Sequence, residues 1–91
     1  MRYHASTRFD RSVKRLDSTR KTRVKAAIDR LVAGFETRQA PPGVGLKQLR
    51  PGLWELRAGL ADRVVFSRTG DVVEFLIAGD HDEITRFLST L

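Results

Sequence analysis

Ninety-one residues at 10.3 kDa, 41% of them apolar and 31% charged, suit one compact domain spanning 1–91 and leave no room for two. No apolar run approaches the ~20 residues of a membrane-spanning helix, and the absence of cysteine excludes disulfide scaffolds, cysteine nucleophiles and thiolate zinc sites. A formal charge of +6 with a pI near 10.8 favours a polyanionic partner, most often nucleic acid, although an acidic protein masking the basic half fits equally well.

Along the chain, Tyr3, Ala5 and Thr7 alternate with Arg2, His4 and Ser6, the period of a short opening strand. Phe9, Val13 and Leu16 then recur at helical spacing, and Asp17 or Ser18 is placed to cap a second helix whose stripe is Val24, Ile28, Leu31, Val32 and Phe35. Two helices so joined form an αα-hairpin. Thr37–Gly45, with Pro41-Pro42-Gly43, cannot continue a helix and reads as a loop. Three strands are predicted after it. One lies within Leu46–Arg57 and is strongest over Leu53–Arg57; the others are Arg63–Ser67 and Val72–Ala78. The short connections AGLAD and Thr69-Gly70-Asp71 suit hairpins, so an antiparallel meander is expected. Asp80 with Glu83 three residues on matches a capping box, and Ile84, Phe87, Leu88 and Leu91 form the stripe of a closing helix. The resulting order, β-α-α-β-β-β-α, predicts an α+β domain with the sheet packed against the helical hairpin.

The charge is lopsided. Residues 1–50 carry thirteen basic and four acidic side chains, residues 51–91 four and seven. The N-terminus MRYHASTRFDRSVKRL lacks the apolar stretch of a secretory signal, and a cytoplasmic location is expected. With only His4 and His81, no multi-histidine metal centre is expected, nor any cofactor.

The short strand, the basic helical hairpin, the Pro/Gly loop and the stretch GLKQLRPGLWELRAGLADRVVFSRTGDVVEFLIAGDHDE resemble the RelE/ParE superfamily of bacterial toxins over nearly the whole chain. The motifs that carry the likeness are L-x-x-G-L-W-E-L-R, R-V-V-F after a short turn, and a third apolar strand that ends before a histidine. The resemblance implies a toxin neutralised by a cognate antitoxin. RelE-like and HigB-like branches cut messenger RNA on the ribosome without metal, whereas the ParE-like branch inhibits DNA gyrase; a shared fold does not choose between them. A degenerate, antitoxin-binding or RNA-binding member is a third alternative.

Metal-free RNA cleavage requires a base for the 2′-hydroxyl, charge stabilisation at phosphorus and an acid for the leaving 5′-oxygen. Guanidinium groups suit the second task and imidazole the others. Arg57 and Arg63 flank the AGLAD turn, so antiparallel pairing brings them together; the plainer alternative is that each pairs with Glu55, Asp62 or Glu74. The resemblance matches Arg63 to a catalytic strand-opening arginine and Arg57 to a strand-ending one. His81, at the start of the last helix, stands where members carry a basic or imidazole group, and an exposed turn residue is its plainer reading. Lys47 and Arg50 are expected RNA-backbone contacts. Arg11, Lys14, Arg15, Arg20, Lys21 and Arg23 extend an electrostatic footprint without individual roles. His4 and Trp54 are expected to be structural. The chain departs from the RelE-like pattern in two ways: the central strand reads Leu53-Trp54-Glu55-Leu56 where lysines are usual, and the C-terminal tyrosine is missing, with Phe87 in the last helix instead.

Overall fold

In the computed structural model, which describes residues 1–37 and 45–91, the elements are β1 (Arg2–Ala5), α1 (Thr7–Lys14), α2 (Ser18–Thr37), β2 (Leu46–Arg50), β3 (Leu53–Ala58), β4 (Asp62–Thr69), β5 (Val72–Asp80) and α3 (His81–Leu88). The α+β class and element order are those expected, with one strand more than the sequence pattern separated. Leu46–Arg57, read as holding a single strand, breaks into β2 and β3 at Pro51-Gly52. Proline cannot donate to a ladder, and Gly52 takes the left-handed φ of +76°. The turn is tied to β4 by Arg68 N–H, which donates to the Gly52 carbonyl at 2.8 Å. The expected loop over Thr37–Gly45 falls largely outside the described residues; Thr37 closes α2.

One five-stranded sheet has the order β1-β5-β4-β3-β2. β2 to β5 form the expected antiparallel meander. β1 lies parallel to β5, from Arg2 opposite Val72 to Ala5 opposite Phe75, so the sheet as a whole is mixed. Alternation over the first residues identifies a strand and carries no information about its partner.

β1 spans four residues and β5 nine, which leaves part of the β5 edge without a strand. α1 covers it. Ser6 caps α1 by accepting from Phe9 N–H at 3.0 Å, and its hydroxyl donates to the Leu76 carbonyl at 3.2 Å. Ser12 is buried because its Oγ accepts from Ala78 N–H at 2.9 Å while donating to the Phe9 carbonyl at 2.7 Å. Each serine therefore satisfies a backbone group that a longer β1 would have paired.

The sheet buries both faces. On one, Phe9, Leu16, Val24, Ala27 and Leu31 of the hairpin meet Leu56, Val64, Phe66, Phe75 and Ala78, and half-buried Trp54 packs against them as expected. On the other, Ile84 and Phe87 of α3 cover Leu53 and Val65. The consecutive buried run Val64-Val65-Phe66 in β4 reflects this two-sided burial. Among the described residues no helix is long and apolar enough to cross a membrane.

Candidate active site and nucleic-acid interface

The β3–β4 register sets Arg57 directly opposite Arg63, and the β4–β5 register sets Arg63 opposite Gly79. Directly opposed residues carry their Cβ atoms about 4.5–5.5 Å apart on one face of a sheet. Alternation from Leu53 and Val65 puts both arginines on the face that carries α3. Gly79 is the bare member of the row. A Cβ there would stand 3.0 Å from the Cβ, Cδ and Oε2 of Glu83, so the missing side chain lets the first turn of α3 settle onto β5. His81 follows two residues later as the exposed first residue of α3.

The expected capping box fixes that turn. Asp80 accepts from Glu83 N–H at 2.9 Å, and Glu83 Oε1 accepts from Asp80 N–H at 3.3 Å. The bond from Glu83 N–H holds the Asp80 carboxyl below its ordinary range, with the charges of Arg20 and Arg86 adding to the effect.

Neither arginine of the row is neutralised by a carboxylate among the described residues. Asp62, adjacent to Arg63, is gripped bidentately by Arg20, with Nη2 to Oδ1 at 2.6 Å and Nε to Oδ2 at 2.9 Å. The Asp62 side chain is only 3% exposed, and this hydrogen-bonded pairing raises the Arg20 pKa further, against the opposing cost of burial. Glu74 is occupied by His4, whose Nδ1 lies 2.8 Å from Oε2. Arg63 Nη1 donates instead to the Asp62 backbone carbonyl at 3.1 Å. Beside Arg57 the chain passes at Gly45, with φ +62°: Arg57 N–H donates to the Gly45 carbonyl at 3.2 Å, and a Cβ on Gly45 would reach within 2.9 Å of the Arg57 Cβ.

The remaining sequence-selected residues divide. Lys47 stands opposite Glu55, two positions along β3 from Arg57 and on the same face, so it borders the row. Arg50 stands opposite Leu53, at the far end of β3, and is separated from it. Arg20 belongs to the Asp62 pair and is withdrawn from the general basic footprint. His4, expected to be structural, is an exposed residue whose Nδ1 faces Glu74. Tyr3 donates to Glu36 at 3.3 Å, away from the arginine row. Phe87 is buried against Ile84 and Val65, beneath the Arg8 guanidinium at 5.2 Å, so it is not free to stack on a base.

No family model and no curated protein matches the chain. Solved structures match over most of their length. The Escherichia coli DinJ-YafQ complex contains a chain 17% identical with a TM-score of 0.73, covering 92% of this chain and 98% of that one. The RelB-RelE antitoxin-toxin complex of Methanococcus jannaschii gives 14% identity and a TM-score of 0.72 over 92% of this chain and 96% of that one. The RelBE2 toxin-antitoxin complex of Mycobacterium tuberculosis gives 22% and 0.56, with coverage of 88% and 96%. The chain therefore has the fold of the RelE-like toxins, as its sequence resemblance implies.

Proposed function

We propose that the chain is the toxin of a type II toxin–antitoxin pair, and that it cleaves messenger RNA on the ribosome. The observation that carries this reading is the opposed Arg57–Arg63 pair, without carboxylate partners among the described residues, in a row that runs to the start of α3 at His81. Two neighbouring guanidiniums repel each other, and an anion between them relieves the repulsion. A phosphate would be held by both, and more tightly as it gains charge on the way to a phosphorane.

In the proposed reaction the 2′-oxygen attacks the adjacent phosphorus as it gives up its proton to a solvent water. The bond from phosphorus to the 5′-oxygen breaks, leaving a 2′,3′-cyclic phosphate and a 5′-hydroxyl. Arg57 and Arg63 stabilise the added charge, and His81 gives a proton to the leaving oxygen. Lys47, at the border of the row, and Arg50, further along the sheet, contact backbone phosphates. The partner is an antitoxin protein, as in the RelB-RelE and DinJ-YafQ complexes.

The test is an in vitro translation reaction with end-mapped message. The expected result is cleavage with a cyclic phosphate end, suppressed by the co-purified product of the adjacent gene. An intact message, or cleavage that leaves a 5′-phosphate in place of the 5′-hydroxyl, overturns this nuclease reading. An intact message with gyrase-linked DNA damage in cells assigns the chain to gyrase inhibition instead.

A further inference from the structure

A groove of about 370 Å³ runs between α1 and α3, beside the arginine row. Its walls carry four guanidiniums. Arg8, Arg11 and Arg15 follow at helical spacing along one side of α1 and its C-terminal cap, and Arg86 faces them from α3. Among the described residues none of the four has a carboxylate within ion-pair distance. Arg8 lies over the Phe87 ring, which with Ile77 makes an apolar floor. The only acid in the lining, Glu83, is bonded into the α3 capping box.

The groove adjoins the row through Glu83. Ile77 and Gly79 alternate on the same face of β5, about 7 Å apart, and Glu83 both lines the groove and packs on Gly79. We infer that this groove is a subsite for single-stranded RNA, holding the backbone that flanks the phosphate bound by Arg57 and Arg63. The inference rests on the nuclease reading of that row and extends it by naming where the rest of the strand lies. Position favours RNA over an acidic peptide: Glu83 on the groove wall packs on Gly79 at the end of the phosphate-holding row, and the four guanidiniums supply charge for the phosphates that flank it.

The experiment uses the full chain with Arg11→Ala and Arg15→Ala combined. Both residues are exposed and outside the catalytic row, so circular dichroism and the melting temperature should match wild type. Binding of a fluorescein-labelled single-stranded RNA is followed by anisotropy over a salt series, beside cleavage of a message on programmed ribosomes. The expected result is weaker binding with the log–log salt slope reduced by about 1.4, at about 0.7 per lost contact. KM for the ribosome-bound message should rise with kcat held. An unchanged slope and KM in a variant that still cuts overturns the groove and leaves the row standing. RNA binding that shows the reduced slope without any cleavage upholds the groove and removes the nuclease reading. Poly-glutamate binding to the wild type, with no RNA binding, makes the groove a protein interface and overturns the inference.

Discussion

Arg20 shows how much one side chain can decide. Its bidentate grip satisfies Asp62, a carboxylate buried on the hairpin side of the sheet, the face opposite to the one that carries Arg63. Removing Arg20 leaves Asp62 buried and unpaired, a loss of about 3–5 kcal/mol; the urea midpoint of Arg20→Ala should fall accordingly. Asp62→Asn should cost less, because Arg20 is a third exposed and can turn to water. Arg63→Lys keeps the charge and loses the planar fork, so cleavage is expected to fall roughly a hundredfold to a thousandfold with the melting temperature unchanged. His81→Gln should reduce the rate by about 10²–10⁴ if imidazole transfers the proton. Single-turnover cleavage of an end-labelled message on programmed ribosomes measures both. The meeting of Arg57 and Arg63 is legible in sequence, because a five-residue connection between two strands fixes which residues face each other. The capture of Asp62 by Arg20 is not, since the partners lie 42 positions apart and any of several acids suits either arginine.

Among the elements, α3 is the most completely written into local sequence. Asp80 and Glu83 satisfy each other's backbone within four residues, and no distant contact is needed to foresee it. The folded pKa of Asp80 is lowered, so its contribution to stability is present above the unfolded carboxylate value and lost as pH falls through the folded one. Stability should hold through neutrality and decline below about pH 4, and Asp80→Asn should show a smaller part of that decline in acid-titrated urea melts. α1 depends instead on distant partners. Ser12→Ala strands the buried Ala78 N–H and should cost about 1–3 kcal/mol, read by the same melts. Nothing near Ser12 in sequence marks it as more than a polar residue on an amphipathic helix. The split of β2 from β3 is marked by Pro51-Gly52 but hidden by the apolar residues on either side, which read as one continuous run.

For the molecule as a whole, the sheet joins the beginning of the chain to its end. The partners of β1 are residues 72–75, and the Ser12 bond reaches Ala78. Contacts so distant in sequence slow folding, because loop closure must precede the gain from pairing. During synthesis β1 and Ser12 emerge well before their partners, and both attachments wait for β5. The Arg57–Arg63 hairpin also stays without its third strand until Gly79 has left the ribosome. A product truncated before β5 would expose unpaired strand edges and lack a finished row, leaving a species prone to aggregation and clearance and unable to hold a phosphate. The order in which the chain is made thus acts as a timer, with the working face completed only after Gly79 has been added.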